Sequence, residues 1–140
     1  MAESEAARKF QKELNAGTSS LVVLALVVGA DRPMYGYEVA TELAGASDEG
    51  LPMNEGALYP VLRSLERAGL LASHTGPSPA GPPRRYYAAT DAGRLALAEW
   101  KKAWDRTRAF VDVVMEQSDD PRTQRGAPRG ARPRRRPALP

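Results

Sequence analysis

The side chains in this sequence best suited to binding chemistry are arginines, and two pairs of them lie close together in segments that are patterned like helix or strand. Arg63 and Arg67 lie four residues apart in a strongly patterned segment, and Arg84 and Arg85 are adjacent further along the chain. A guanidinium group offers five N–H donors in a planar fork that matches a phosphate group. Both pairs are therefore candidates for contacts with phosphates or with the edges of nucleic-acid bases.

Side chains for covalent or metal chemistry are scarce. The 140 residues include no cysteine, which excludes disulfides and thiolate zinc sites, and one histidine, His74. No glycine-rich phosphate loop occurs, and one histidine hardly allows a Ser-His-Asp triad or a histidine metal cluster. We expect no enzyme, no cofactor and no metal site, and we assign His74 a structural role.

The net charge of +3 conceals a division along the chain. Residues 122–136 hold seven arginines and no acid, so residues 1–121 keep 13 basic and 17 acidic side chains, a net of −4. Nucleic-acid binding by the folded part must therefore depend on where its charges lie. The acidic balance also supports an alternative, a protein-interaction module that docks through an acidic surface.

The helical spacing of apolar residues predicts the elements that position these arginines. Gly17 and the hydroxyl residues after it are expected to break or cap a first helix. Asn54 suits the N-cap of the patterned helix and Gly69 its C-terminal end. The predicted order is an N-terminal helix within residues 1–17, a buried helix at 21–28, a helix from Gly36 or Tyr37, a helix at 54–69, two strands at 70–75 and 84–89, and a long helix capped by Thr90.

Pro60 lies inside the patterned helix, where a proline costs about 3 kcal/mol if it is in the helix interior. If the helix begins at Asn54, Pro60 lies past the first turn and leaves the carbonyl of Gly56 without its usual donor. If regular helix begins near Ala57, the cost is small. Either way, the start of this helix is a stiff segment.

Two regions contain too much proline and glycine for regular structure. The segment between the strands, GPSPAGPP at 76–83, holds four prolines and predicts an exposed hairpin tip. Residues 119–140 are rich in Pro, Gly and Arg and predict disorder. This tail is either a solvated extension or an arm that adds nonspecific affinity for DNA.

Three helices followed by a hairpin is the order of a winged helix-turn-helix, and four linked motifs resemble the PadR family of transcriptional regulators. The motifs are MYGYEVATEL (34–43), GALYPVLRSLERAGLL (56–71), RRYYAATDAG (84–93) and the nearby Trp100. The resemblance covers roughly residues 10–115. It implies a mainly α fold, namely a three-helix core and a two-stranded wing at 18–90, an N-terminal helix at 1–17 and a C-terminal dimerisation helix at 91–118.

The winged-helix order places the arginines at an expected interface with double-stranded DNA. Each candidate residue also has an alternative interpretation. Arg63 and Arg67 could belong to a solvated helix face, and Arg84 and Arg85 could be charged residues on an edge strand. Tyr37, which starts the third helix, could pack beneath the recognition helix. The expected DNA contacts are Asn54, Tyr59, Arg63, Ser64 and Arg67 of the recognition helix, Arg84 and Arg85 of the wing, and Tyr37.

The last helix carries apolar residues at alternating spacings of four and three, which is a heptad seam. It indicates a homodimer interface, although such a stripe also fits an intrachain core helix. By resemblance, Trp100 and Trp104 could hold a small planar aromatic effector, whereas simple packing is the alternative for these indoles. The expected interface residues are Phe10, Leu14, Leu97, Trp100, Trp104, Val111 and Val114.

Together these features predict a cytoplasmic, nucleoid-associated repressor that binds a palindromic operator as a homodimer. The N-terminus does not resemble a signal peptide, and the apolar run at 21–30 is too short to span a bilayer, so no membrane association is expected. The operator, the target genes, the effector and the sign of regulation cannot be read from the sequence.

Overall fold

The computed structural model describes residues 3–46 and 55–119 and has the predicted, mainly helical winged-helix fold. The predicted disorder of the tail and the predicted cap at Asn54 lie outside the described residues. The elements are α1 (Glu5–Ala30), β1 (Met34–Tyr35), α2 (Gly36–Gly45), α3 (Glu55–Arg67), β2 (Leu71–Gly76), β3 (Arg84–Ala89) and α4 (Asp91–Asp119).

Helix α1 is continuous, so the predicted break after Gly17 is wrong. The hydroxyl of Thr18 donates to the carbonyl oxygen of Leu14 at 2.9 Å, and that of Ser19 donates to Ala16 at 3.3 Å. These side chains bond back to the preceding turn instead of capping a new helix. A glycine inside a helix costs only about 1 kcal/mol, which the packing of α1 outweighs.

Two compact units make up the chain, Met1–Trp100 and Lys101–Pro140. The first contains the hydrophobic core, to which α1, β1, α2, α3, β2, β3 and the start of α4 all contribute. Burying apolar side chains of this kind stabilises a fold by roughly 1.5–3 kcal/mol each. The buried residues are Val23, Leu24, Val27, Met34, Val39, Leu43, Leu58, Leu62, Leu65, Leu71, Tyr87 and Leu97.

Helix α1 is, by length and composition alone, apolar enough to cross a membrane. Its 26 residues include an 18-residue window of mean hydropathy 1.5. Three of its residues, Val23, Leu24 and Val27, are buried in the core of the first unit. These three side chains anchor the apolar half of α1 in the core, and 17% of that window is buried.

The sheet has three strands in the order β1-β3-β2, both pairs antiparallel. Strands β2 and β3 are the predicted hairpin, whereas the short strand β1 was not predicted. Met34 pairs with Tyr87 and Tyr35 with Tyr86, so β1 closes the free edge of β3. The sheet thereby ties the start of α2 to the hairpin.

The end of α3 is fixed by a Schellman motif around Gly69, which has a φ of 81°. The Gly69 N–H donates to Glu66 at 2.9 Å and the Leu70 N–H donates to Leu65 at 3.0 Å. The Thr90 hydroxyl donates to the Gly69 carbonyl at 2.7 Å and accepts from the Gly93 N–H at 2.9 Å. As predicted, Thr90 caps α4, and it also binds that cap to the end of α3.

The second unit consists, in its described part, of the α4 residues from Lys101 to Asp119. Phe110, Val113 and Met115 are among its exposed large apolar side chains, with Phe110 69% exposed. Arg108 pairs with Asp105 one turn earlier at 3.4 Å.

Candidate nucleic-acid interface

Helix α3 has one face in the core and one face in solvent. Leu58, Leu62 and Leu65 are buried, as their spacing predicted. The side chains of Arg63, Ser64 and Arg67 are exposed on the opposite face. Because α3 is the second helix of the helix-turn-helix, this exposed face corresponds to the one that enters the major groove.

The start of α3 resolves the two alternatives raised by Pro60. Regular helix begins at Glu55 and not near Ala57, so Pro60 is the sixth helical residue and lies past the first turn. The Gly56 carbonyl therefore lacks the i+4 donor that any other residue at position 60 would supply. Gly56 and Pro60 are both exposed, on the same side of α3 as Arg63 and Ser64.

Tyr59 is only half-exposed and lies away from the fully exposed face of α3. Its ring contacts Gly36, the first residue of α2, where a Cβ atom would be 2.9 Å from the Tyr59 hydroxyl oxygen. Glycine at position 36 thus lets the phenol pack against the start of α2. The structure assigns Tyr59 a packing role that the sequence prediction, which placed it outward, did not foresee.

Tyr37 is the second residue of α2 and its side chain is 60% exposed. It does not pack beneath α3, which was the plainer reading of this residue. Next to it, Glu38 accepts a hydrogen bond from Arg32 at 2.6 Å, and this contact raises the pKa of the Arg32 guanidinium. The Arg32–Glu38 pair links the turn before α2 to the first turn of α2, and Tyr37 takes no part in this ion pair.

The adjacent arginines of the wing point to opposite faces of the sheet, because side chains alternate along a strand. The Arg84 guanidinium carbon lies 4.0 Å from the centre of the Tyr35 ring, a cation–π contact. The Arg85 Nη1 atom instead donates to the Ser73 hydroxyl oxygen at 2.8 Å. The two residues, which the sequence presents as a pair, therefore have different surroundings.

A chain of hydrogen bonds links α3 to both strands of the wing. Ser73 of β2 accepts from Arg85 of β3 and donates its own proton to Oε2 of Glu66, near the end of α3, at 2.6 Å. Beside it, burial raises the pKa of the Tyr87 phenol, Arg85 and Arg63 oppose that shift, and Glu66 reinforces it. Cations from α3 and from β3 thus act on the same phenol.

An aromatic cluster covers the face of the sheet opposite to Arg85 and Tyr87. The sequence prediction missed this cluster. Tyr86 stacks on His74 with ring centres 5.6 Å apart and meets Tyr35 edge-on at 5.8 Å. The Tyr86 hydroxyl donates to the Pro77 carbonyl at 2.8 Å. Alternation along β3, which places Tyr86 and Tyr87 on opposite faces of the sheet, is the sequence signal that bears on this cluster.

The wing tip has no regular secondary structure, as predicted, but it is held by specific contacts. The Ser78 hydroxyl lies 2.8 Å from the Pro82 carbonyl oxygen and within 3.2 Å of the carbonyls of Ala80 and Gly81. Gly81 has a φ of 98°, which favours glycine. The tip is a closed loop around one serine.

The residues predicted at the dimer interface divide into two groups. Leu97 is 6% exposed and belongs to the core of its own chain. Trp100 is partly buried and packs against the same core. Exposed apolar surface remains at Phe10, Leu14, Trp104, Val111 and Val114.

Among residues 3–46 and 55–119, no cluster of acidic or histidine side chains could hold a metal ion. Within the same residues, the helix-turn-helix and wing present exposed guanidinium groups at Arg63, Arg67 and Arg85. Such groups bind phosphates and base edges without any covalent step.

Comparisons with known proteins agree with this geometry. The profile of the Transcriptional regulator PadR-like family matches residues 23–99. An uncharacterized protein of Lysinibacillus sphaericus is 30% identical over 95 residues, which cover 68% of this chain and 85% of that protein. A transcriptional regulator of Mycobacterium tuberculosis is 42% identical over 74 residues, which cover 53% of this chain and 65% of that protein.

Solved structures give the same result. A PadR family transcriptional regulator from Eggerthella lenta aligns with a TM-score of 0.69 and 34% identity, covering 80% of this chain and 94% of that one. A PadR-like regulator from Bacillus cereus aligns with a TM-score of 0.61 and 27% identity, covering 74% and 96%.

The exposed basic face of α3 and the wing beside it define a winged-helix DNA-binding protein of the transcription-regulator class. The chain belongs to the PadR-like family of transcriptional regulators. Proteins of this family are transcriptional regulators.

Proposed function

We propose that this protein is a homodimeric repressor that binds a palindromic operator in cytoplasmic, nucleoid-associated DNA. The observation that carries the proposal is the exposed face of α3, where Arg63, Ser64 and Arg67 lie opposite three buried leucines. In this proposal α3 enters the major groove, with Asn54, Tyr37 and the wing contributing near the backbone.

Arg63 is the residue on which the proposal depends most. It lies in the middle of the exposed face of α3, where a bidentate contact with guanine or a phosphate contributes about 1–3 kcal/mol. Arg63→Ala should therefore weaken operator binding by about tenfold or more. Lys102→Ala removes the same charge from an exposed position of α4 and should change affinity little.

The direct test is fluorescence anisotropy with labelled duplex DNA from upstream of the gene, against random duplex of equal length. The proposal requires selective binding by the unaltered protein and its loss in Arg63→Ala but not in Lys102→Ala. Equal affinity of Arg63→Ala and the unaltered protein would refute the role of α3. Repression itself is tested by transcription from the same promoter, where an increase in transcript on adding the protein would contradict it.

Homodimerisation is supported by apolar side chains exposed in the single chain. Phe10 is 61% exposed, and Val111 and Val114 are also exposed at heptad spacing on α4. A symmetric dimer would present two α3 helices to two half-sites of a palindrome, about one helical turn of DNA apart. Val111→Glu should lower the dimer fraction in analytical ultracentrifugation, whereas Lys102→Glu should not.

The most specific part of the proposal is that a small planar aromatic compound binds the protein and releases it from DNA. It is supported by Trp104, which is exposed on α4, and by Trp100 one turn earlier, whose indole is only partly buried. The protein has only these two tryptophans, so their fluorescence reports directly on such binding. Quenching by none of the planar aromatic compounds tested would contradict this role.

The alternative function, a protein-interaction module, is favoured by the net charge of −4 over residues 1–121. The anisotropy experiment separates the two. A folded, dimeric protein that binds neither upstream nor random duplex at low salt would support the alternative.

A further inference from the structure

The Arg85–Ser73–Glu66 chain connects the three elements of the interface, since Arg85 belongs to β3, Ser73 to β2 and Glu66 to α3. Its direction is fixed by the hydrogens available. Arginine only donates and an ionised glutamate only accepts, so the Ser73 hydroxyl accepts from Arg85 at 2.8 Å and donates to Glu66 at 2.6 Å.

Glu66 is a firm anchor for this chain. It is half-buried in the last turn of α3, and its backbone carbonyl accepts the Gly69 N–H at 2.9 Å in the Schellman motif. Ser73 is equally fixed, since it pairs across the sheet with the buried Tyr87. The Arg85 guanidinium is thus held from α3 through one bridging hydroxyl. That hydroxyl accepts from Nη1 of Arg85, and the other N–H groups of the guanidinium can donate to a phosphate.

Arg84 is held elsewhere. Its guanidinium lies over the Tyr35 ring at 4.0 Å, on the face of the sheet opposite to that of Arg85. Only Arg85 shares its side of the sheet with the end of α3. Of the two neighbouring cations, Arg85 is therefore the one directed toward the DNA-facing helix.

We propose that Glu66 and Ser73 are positioning residues that hold the Arg85 guanidinium beside α3, so that the phosphate contact of the wing belongs to Arg85 and not to Arg84. This inference rests on the proposed DNA binding. Glu66 is an acid close to the proposed DNA surface, and its carboxylate repels phosphates. In this proposal, its effect on the orientation of Arg85 offsets that repulsion.

The test is the salt dependence of DNA affinity in matched variants. Losing one phosphate contact reduces the slope of log K against log salt by about 0.9, so the defect of Arg85→Ala should shrink about 3.5-fold between 50 and 200 mM salt. Arg84→Ala should leave the slope unchanged. An equal decrease of the slope in both variants would overturn the assignment.

Ser73 is tested with Ser73→Thr and Ser73→Val, which add nearly equal volume and differ in the hydroxyl. Thr should bind DNA as the unaltered protein does, whereas Val should bind about threefold more weakly, as expected for one modest hydrogen bond. In an Arg85→Ala background the two should be equal. Equal affinities with Arg85 present would refute a positioning role for Ser73.

Glu66 is tested with Glu66→Gln and Glu66→Ala, which remove the same negative charge, while only glutamine keeps an acceptor. Because both variants have the same charge, any difference between them reports on the acceptor, and Gln should bind DNA more tightly than Ala as long as Arg85 is present. Equal DNA affinity of Glu66→Gln and Glu66→Ala would show that Glu66 does not position Arg85. Failure of the unaltered protein to bind any duplex would instead overturn the proposed function, and this inference with it.

Discussion

The contact between Gly93 and Leu70 makes Gly93→Ala a sharp test of the packing of α4. A Cβ atom on Gly93 would stand 2.1 Å from the carbonyl oxygen of Leu70, whereas ordinary carbon contacts lie at about 3.5–4.0 Å. The oxygen cannot easily move away, because it also accepts the Thr90 N–H at 3.2 Å. Either the start of α4 or the start of β2 must shift.

The magnitude follows from two opposing effects. Replacing a helical glycine by alanine gains up to about 1 kcal/mol of helix propensity. Overpacking costs about 1–3 kcal/mol, and loss of the bond between Thr90 and Leu70 costs about 1 kcal/mol more. Gly93→Ala should therefore lower the free energy of unfolding by about 1–3 kcal/mol.

The matched control is Gly17→Ala in α1. Gly17 is also helical, but nothing lies within 4 Å of the position its Cβ would take. The same substitution should there raise the free energy of unfolding by about 0.5–1 kcal/mol. The two variants should move in opposite directions.

Urea unfolding followed by circular dichroism measures both free energies, at one protein concentration because dimerisation contributes to apparent stability. A Gly93→Ala protein as stable as the unaltered one, with an unchanged m-value, would refute the close packing of α4 on β2. Destabilisation by Gly17→Ala would refute the continuity of α1.

Three further predictions concern the α4 cap, Tyr87 and the tail. Thr90→Ala should lower the free energy of unfolding by about 1–2 kcal/mol, because two hydrogen bonds are lost, while Thr90→Ser should retain most of it in the same urea assay. Because burial raises the pKa of Tyr87 above its ordinary 10.0, the folded state holds the phenol proton more tightly than the unfolded state does. The free energy of unfolding should keep this contribution below pH 10 and lose it as the pH rises through the folded-state pKa. Tyr87→Phe should lose less stability over that range. Parallel curves of unfolding free energy against pH for the two proteins would contradict this prediction. Deleting residues 119–140, which contain seven arginines, should flatten the salt dependence of DNA affinity if the tail contacts phosphates, and an unchanged slope would exclude such contacts.

The sequence predicted the elements that depend on local chemistry. Helix α3 follows from the spacing of Leu58, Leu62 and Leu65, and its end follows from Gly69, where only a left-handed residue completes the Schellman motif. The predicted cap at Thr90 was also confirmed. In each case a residue and its near neighbours along the chain determine the result.

Contacts between distant residues could not be predicted in the same way. The close approach of Gly93 to the carbonyl oxygen of Leu70, just before β2, joins residues 23 positions apart, and no local pattern reveals it. The opposite directions of Arg84 and Arg85 follow from alternation, but their partners Tyr35 and Ser73 depend on strand register, which a single sequence does not reveal. Serine at 19 could cap a helix or bond back within one, and local propensity does not decide between these roles.

The closed tip of the wing bears on how the protein meets its target. Residues 76–83 carry no charged side chain, so contacts made by the tip displace no counterions. Ser78 and four prolines already restrict the loop in the free protein, and little conformational entropy remains to be lost on contact. The tip can therefore select a groove by its shape, and any affinity it adds persists at high salt, where the contribution of the arginines fades.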